Sequence, residues 1–273
     1  MKKTKESIQK SLSLVDIVFE LIDSRIPHSS QNPVIESIIG EKLRIILLNK
    51  SDLASSNGNK MWQEYFSEKN IKSVCIEALT GKGIDELVKL SYQATDIKRK
   101  AYEKRGVINR PIRAMILGIP NVGKSTLINS LSGRKGAKTG NKPGVTKSNQ
   151  WIKTKGDLEL LDTPGILWPK FEDSEVGLNL AFTGAIKDEI LDIETLALKL
   201  IEKLSNYYPT LLNNRYNVEI EGKSYIEIME DIGKKRGCII KGGEIDYTKV
   251  SNIILDEFRK GIIGRITLEY PCE

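Results

Sequence analysis

A short glycine-containing segment constrains this chain more than any other feature. Residues 118–126 read Gly-Ile-Pro-Asn-Val-Gly-Lys-Ser-Thr and directly follow the apolar run 112–117. Two glycines at this spacing let the backbone curl around an anion, so that successive N–H groups and the N-terminus of the following helix point at phosphate. The pattern therefore predicts a strand, a phosphate-binding loop and a helix, in that order.

Side chains of this loop have expected roles in binding a nucleotide. Lys124 would neutralise the β- and γ-phosphates, and the hydroxyl of Ser125 would bind a magnesium ion. A Gly-rich turn without a ligand is the alternative, and the flanking strand and helix disfavour it. The residues predicted to bind nucleotide here are Asn121, Val122, Gly123, Lys124, Ser125 and Thr126.

The apolar pattern predicts the fold class. Apolar runs bounded by polar turns indicate buried parallel strands over residues 14–22, 43–48, 74–78 and 112–117, with helical spacing between them. Alternating strands and helices predict an α/β fold with a doubly wound, mostly parallel sheet. Apolar residues at helical spacing beyond Pro169 predict a small all-helical domain. We therefore expect domains over residues 1–169 and 170–273.

The tetrapeptide Asn49-Lys50-Ser51-Asp52 follows the predicted strand 43–48, at the end where such a sheet binds its ligand. The Asp52 carboxylate can accept hydrogen bonds from N1–H and the exocyclic amine of guanine, while Asn49 contacts the opposite edge and the Lys50 stem covers the ring. Adenine lacks this pair of donors, and a buried carboxylate left unpaired is costly. The motif predicts a guanine nucleotide, with a solvated turn as the alternative.

Further loops complete the predicted site. Asp162-Thr163-Pro164-Gly165 follows the predicted strand 158–161, so that Asp162 would hold magnesium through water and the Gly165 N–H would reach the γ-phosphate. Thr146 would give the magnesium a second hydroxyl, with a turn threonine as the alternative. Glu77 and Ala78 would bring a backbone N–H to the guanine oxygen, although Ser-Ala is the usual pair there. The predicted metal ligands are Ser125, Thr146 and Asp162.

The order of these motifs is informative. In most GTPases the phosphate-binding loop comes first and the Asn-Lys-x-Asp motif comes late, whereas here residues 49–52 precede residues 118–126. Strand ends that are neighbours in space need not be neighbours in sequence, so either order can build the same site. We therefore predict a circularly permuted P-loop GTPase domain, in which the segment 162–165 lies close to the domain's carboxyl end.

The charge composition bears on partners and compartment. Lys and Arg number 42 against 36 Asp and Glu, a net charge of +6. Basic clusters at 2–5, 98–105 and 134–147 favour RNA, with a solvated surface as the alternative. The 3 cysteines have no Cys-x-x-Cys spacing, which fits a reducing compartment without a zinc site. No stretch approaches the roughly 20 apolar residues that span a bilayer, so we expect a soluble, cytoplasmic protein.

With these motifs in this order, the chain resembles the circularly permuted GTPases of the ribosome-assembly group, among them bacterial ribosome biogenesis GTPase A and its mitochondrial relatives. The likeness rests on the motifs above and on the segments Leu-Ile-Asp-Ser-Arg-Ile-Pro at 21–27 and Asn-Pro at 32–33. It implies GTP hydrolysis coupled to late maturation of the large ribosomal subunit, with the helical domain helping to bind ribosomal RNA. We expect a monomer that binds the subunit with GTP and leaves it with GDP.

The resemblance also implies catalytic roles. Ile166 stands where many GTPases carry a water-orienting Gln, so we expect slow hydrolysis that the ribosomal subunit stimulates. In related GTPases with an apolar residue there, an Asn at the position of Asn121 supports a potassium ion. The predicted catalytic residues are therefore Lys124, Thr146 and Asn121. Family members usually open with an aromatic-Pro-Gly-His-Met stretch, and this chain begins at that Met, so weaker stimulation is expected.

Two other interpretations stay open. One is an RNA-binding assembly factor in which the guanine nucleotide is mainly structural. The other is a generic P-loop ATPase, for which Asp52→Asn would leave the base preference unchanged.

Overall fold

The computed structural model describes residues 2–133, 150–154, 157–162, 173–186 and 192–271, without the side chains of residues 2–5, 7, 150 and 162. The chain divides into two compact units, residues 1–172 with 269–273 and residues 173–268. The domain boundary predicted between residues 169 and 170 lies outside the described residues and stays a prediction.

The first unit alternates helices and strands, as predicted. Its elements are α1 Lys2–Leu12, β1 Ile17–Asp23, α2 Pro27–Ser30, α3 Pro33–Ile39, β2 Arg44–Asn49, α4 Ser56–Glu68, β3 Lys72–Ile76, α5 Ile84–Glu103, β4 Ile112–Gly118, α6 Lys124–Ser132, β5 Gln150–Lys153 and β6 Leu158–Asp162.

Within the described residues, the strands form one sheet in the order β3-β2-β1-β4-β6-β5. Neighbouring strands are parallel except for the antiparallel pair of β5 and β6. All residues of β1 are buried, because strands covered on both faces read as continuous apolar runs. The prediction of a mostly parallel, doubly wound sheet is confirmed.

Local capping chemistry sets the ends of the connecting helices. The Asn32 side chain accepts a hydrogen bond from the Val34 N–H at 2.9 Å, and Pro33 occupies the first turn of α3. Gly40 ends that helix with φ of 54°, a conformation that glycine adopts at little cost. The predicted start and end of this helix are therefore confirmed.

Helices cover both faces of the sheet. On one face Trp62 and Phe66 of α4 pack against Ile22, Ile46 and Leu48 of the sheet. The other face has a cluster to which α1, α3 and the strands contribute, made of Ile8, Val15, Val18, Ile35, Ile38, Ile39, Met115, Leu117 and Leu161. This layering leaves the two ends of the strands uncovered, and ligands of such sheets bind beyond the carboxyl ends.

The register of the strands decides which residues meet at that carboxyl edge. Asp23, the last residue of β1, pairs with Asn49 of β2, and Leu21 pairs with Gly118 of β4. The Asn-Lys-x-Asp motif and the phosphate-binding loop therefore start from strands that flank β1 on its two sides.

The second unit is helical in its described residues. Its elements are α7 Ser174–Phe182, α8 Ile193–Tyr207, α9 Pro209–Tyr216, α10 Tyr225–Lys235 and α11 Tyr247–Arg259. Their apolar stripes share one core that includes Leu200, Ile232, Ile254 and Phe258. The helices predicted from the apolar spacing at residues 193–204 and 250–258 are confirmed. No helix in the described part of the chain is long and apolar enough to cross a membrane.

The last described residues belong to the first unit. The Glu269 carboxylate accepts a hydrogen bond from the Ser29 N–H at 2.9 Å, and the Glu269 carbonyl accepts one from the Trp62 indole N–H at 2.9 Å. These contacts attach the C-terminal segment to α2 and α4, which follow the carboxyl ends of β1 and β2.

Candidate functional site

The phosphate-binding loop joins β4 to α6, as predicted, and its two glycines are needed for different reasons. A Cβ at Gly118 would lie 2.6 Å from the Leu21 carbonyl oxygen of the neighbouring strand. A Cβ at Gly123 would lie 2.3 Å from Nδ2 of Asn49, and Gly123 has φ of 106°. The first glycine therefore permits strand packing, and the second permits contact with the Asn-Lys-x-Asp motif.

Lys124 begins α6 and reaches back over the loop. Its Nζ donates hydrogen bonds to the carbonyl oxygens of Gly118 at 3.0 Å and Ile119 at 2.7 Å. The ammonium group and the first backbone N–H groups of α6 thus lie on the loop that precedes the helix, an arrangement that binds phosphate. Ser125 and Thr126 are half-buried in the same first turn.

A single amide side chain connects three loops that are far apart in sequence. Asn49 is buried, and its Nδ2 donates to the Val122 carbonyl oxygen at 2.7 Å. Its Oδ1 accepts from the Ala78 N–H at 3.0 Å. The end of β2, the end of β3 and the phosphate-binding loop are therefore held together in one site, despite their inverted order along the chain.

Lys50 ties the same motif to the loop by a second route. Its Nζ donates to Oδ2 of Asp23 at 2.9 Å and to the Asn121 carbonyl oxygen at 3.2 Å. Arg25 also binds Asp23, with Nε 3.0 Å from Oδ1 and Nη2 2.8 Å from Oδ2. Asp23 is thus a buried anchor for two cations, one of which contacts the phosphate-binding loop.

The electrostatics of this anchor follow from burial and charge. Burial acts to raise the pKa of Asp23, but the Arg25 and Lys50 cations with their hydrogen bonds hold that pKa well below its usual range. Burial lowers the pKa of Lys50 although the Asp23 carboxylate acts in the opposite direction. The ion pair is therefore charged at neutral pH, in a region where charge is tolerated only when paired.

The residues predicted to read the base lie at the same edge. Asp52 is exposed on the turn after Asn49, and Ser51 is buried, with its N–H donating to the Ile76 carbonyl oxygen at 3.3 Å. The Glu77 carboxylate pairs with Lys82 at 2.9 Å. The Ala78 N–H, predicted to reach the guanine oxygen, donates to Asn49, so its role toward the base stays a prediction.

Some predicted site residues cannot be placed. Thr146 and Gly165 lie outside the described residues, and of Asp162 only the backbone is described, at the end of β6. The described residues contain no group of three or more His, Cys, Asp or Glu side chains that would hold a metal ion. The predicted magnesium ligands, two hydroxyls and one carboxylate, are a different kind of set and stay predictions.

Sequence reasoning gave no role to Asp23 and Arg25, which it used only as part of a family-like segment. A signal was available, because both residues directly follow a buried strand at the edge where ligands bind. A charged pair at that position indicates either a ligand contact or an anchor for one.

Comparisons with known proteins decide the family. The family described as 50S ribosome-binding GTPase matches residues 113–228. The chain is 47% identical over 274 residues to ribosome biogenesis GTPase A of Priestia megaterium, covering 100% of this chain and 95% of that protein. The protein of the same name from Bacillus cereus is 46% identical, with 100% and 92% covered. A GDP-bound structure of TM YlqF superimposes with a TM-score of 0.69 at 27% identity, covering 97% of this chain and 99% of that one.

The chain belongs to the ribosome biogenesis GTPase A family. It is a GTP-binding, GTP-hydrolysing protein of ribosome biogenesis with a circularly permuted P-loop GTPase fold, as the motif order predicted. The bond between Asn49 and Val122 spans 73 residues and shows how the permuted order closes into one site. The generic ATPase interpretation is set aside.

Proposed function

We propose that this GTPase acts in late maturation of the large ribosomal subunit, binding an immature subunit in its GTP state and leaving it in its GDP state. The double contact of Asn49 with Ala78 and Val122 is the observation that carries the proposal. It makes the base-reading loops and the phosphate-binding loop one mechanical unit, so a change at the phosphates is felt at the base. The names of the relatives supply the ribosomal context.

The nucleotide contacts are proposed residue by residue. Asp52 accepts the two guanine donors, Asn49 and Lys50 position that motif, and Lys124 with the N–H groups of α6 binds the phosphates. An Asp52→Asn variant supplies a donor where guanine also supplies donors. It should lose GTP and gain xanthosine triphosphate, whose ring carries a carbonyl in place of the amine.

The donor set suits magnesium. Ser125 lies in the first turn of α6, next to the Lys124 ammonium, and the remaining proposed ligands, Thr146 and Asp162, also offer the oxygen atoms that Mg²⁺ prefers. When bound, the ion would neutralise charge on the β- and γ-phosphates. This chain's own residues orient the triphosphate and hold positive charge against it. Thr146 and Gly165 are proposed to sense the γ-phosphate.

Hydrolysis is proposed to be slow without a partner and faster on the ribosomal subunit, because Ile166 cannot hydrogen-bond a water. Asn121 is proposed to support a potassium ion that promotes hydrolysis. Its backbone has φ of 56° and its carbonyl accepts from Lys50, so the loop holds it in a fixed conformation. Equal turnover in potassium and sodium buffers would remove this role.

The other proposed properties follow from charge and family. The net charge of +6 favours contact with ribosomal RNA, in which the helical unit takes part. We propose a cytoplasmic monomer with GTP or GDP and the large subunit as its partners.

Co-sedimentation with immature large subunits tests the proposal. The protein should sediment with subunits in a non-hydrolysable GTP analogue and stay in the supernatant with GDP. Asp52→Asn should sediment only when the xanthosine analogue is supplied, which ties binding to this site. Equal sedimentation with both guanine nucleotides would favour the rival function, an RNA-binding factor whose nucleotide is mainly structural.

A further inference from the structure

A second concave site lies at the opposite end of the sheet from the nucleotide. A cavity of about 160 Å³ opens between the C-terminal half of α5 and the segment 107–111 that leads into β4. Asp16, which precedes β1, and Asp157, which precedes β6, line its floor. A cavity of about 150 Å³ holds a benzene-sized ring, so this one has room for a single planar ring.

The walls offer flat surfaces for stacking. Tyr92 and Tyr102 of α5 line the cavity half-buried, and each ring has a guanidinium group over it. Arg99 lies 4.7 Å from the Tyr92 centroid, and Arg110 lies 4.3 Å from the Tyr102 centroid. Aromatic rings and guanidinium planes are the groups on which unpaired nucleobases stack. Ile108, 76% exposed, adds an apolar rim.

The interior charges hold the walls in place and are nearly balanced. Asp16 is buried and binds Lys98 at 2.6 Å and Arg110 at 3.0 Å. Burial acts to raise the pKa of Asp16, but Lys98, Arg110 and the Arg113 N–H hold it below its usual range. Glu103 and Asp157 balance the remaining Arg99. Three carboxylates in the lining disfavour a free inorganic anion inside the cavity and favour a neutral ring.

The rim differs from the interior in charge. Lys104 and Arg105 are exposed where α5 ends, directly beside the cavity-lining Tyr102 and Glu103. A neutral, ring-lined cavity next to exposed cations matches a nucleotide in a strand, whose base enters a pocket while its phosphates stay at the surface.

We propose that this cavity binds one unpaired base of single-stranded RNA, with the neighbouring phosphates against Lys104 and Arg105. The site belongs to the GTPase unit and is separate from the nucleotide site at the carboxyl edge. It is independent of the proposed cycle, so its failure would leave that cycle standing.

Fluorescence anisotropy of a labelled single-stranded RNA with the full chain and GDP tests the proposal. Tyr102→Leu should weaken binding by roughly fivefold to a hundredfold, the range expected for one lost base stack, and Tyr102→Phe should restore it. Lys104→Ala should lower the slope of log affinity against log salt by about 0.7, as for one phosphate contact. Lys89→Ala removes a charge from the exposed face of α5 outside the cavity lining and should change neither property.

Further arms identify the ligand. RNA carrying 4-thiouridine should crosslink to residues 92–111, and a duplex of the same sequence should not, because its bases are paired. Equal affinity of wild type and Tyr102→Leu, with unchanged GDP affinity showing that the variant is folded, would overturn the proposal. So would crosslinks confined to other segments, or a free mononucleotide that binds as tightly as the strand.

Discussion

The two ends of β1 are built from the same parts and used differently. Asp16 precedes the strand and Asp23 ends it; both are buried, and each binds two cations. At the carboxyl end one of these cations, Lys50, also contacts the phosphate-binding loop. At the amino end both cations, Lys98 and Arg110, line a cavity. A buried carboxylate is therefore an anchor in both places, and its partners decide what the anchor serves.

Glu20, in the middle of β1, gives the comparison its reference point. It is as deeply buried as the two aspartates but has a single close cation, Arg44, at 3.1 Å. Burial raises the pKa of Glu20 to about 7, with Arg44 only partly opposing it, whereas the pKa of both aspartates is lowered. Along one strand, the number of cations at a carboxylate decides the sign of its pKa shift.

The largest expected effect comes from removing the charge of Asp23. Asp23→Asn leaves Arg25 and Lys50 without their counter-ion in a buried region, which should cost about 3–5 kcal/mol of unfolding free energy. Lys50 also loses its fixed position on the Asn121 carbonyl, so GDP affinity should fall roughly tenfold or more. Urea unfolding and titration with a fluorescent GDP analogue measure the two effects.

Asp16→Asn is the matched control at the other end. Lys98 and Arg110 are partly exposed and regain water, so the stability loss should be about 1–2 kcal/mol, with GDP affinity unchanged. Comparable losses of affinity in both variants would contradict the division of roles between the two ends.

Glu20 makes stability depend on pH. Because its pKa is raised in the folded state to about 7, its contribution to stability is present below its ordinary value near 4.5 and is lost as pH rises through 7. This group alone should reduce unfolding free energy between pH 5 and pH 8 by about 3 kcal/mol. Glu20→Gln should flatten the profile, as measured by urea unfolding at several pH values.

His28→Gln is the control for this profile, since it removes the chain's only histidine, an exposed residue. The slope should survive in that variant. If Glu20→Gln keeps the wild-type slope, the buried glutamate is not its source.

Gly123 tests the contact that closes the nucleotide site. A methyl group there would lie 2.3 Å from the Asn49 amide nitrogen, so Gly123→Ala should displace Asn49 and weaken GDP binding by roughly ten- to thirtyfold, about 1.4–2 kcal/mol. Gly40→Ala is the matched control, because Gly40 also has positive φ but nothing within 4 Å of an added Cβ. It should cost stability through backbone strain alone. An equal loss of affinity in both variants would show that strain, not collision, is responsible.

Sequence reasoning was most successful where one local pattern determines the outcome. Apolar runs marked the strands, and glycine spacing located the phosphate-binding loop next to β4. It did not find the anchors, because Asp23 with Lys50 and Asp16 with Lys98 are pairs formed by the sheet's register and by helix packing. The cavity beside Tyr102 has no signature for the same reason, since residues 16, 102 and 157 meet only after folding.

The smallest expected effect concerns the C-terminal segment at the carboxyl edge. Trp62→Phe keeps an aromatic ring beside Phe66 but removes the N–H that donates to the Glu269 carbonyl, which should cost about 1–2 kcal/mol of unfolding free energy. Tyr65→Phe is the matched control, because it removes a half-buried hydroxyl from the same helix without touching Glu269. Urea midpoints of the two variants should differ, since only one leaves a carbonyl without its donor. Equal midpoints would mean that the segment adds no stability, and α4 would then depend only on its packing against β2.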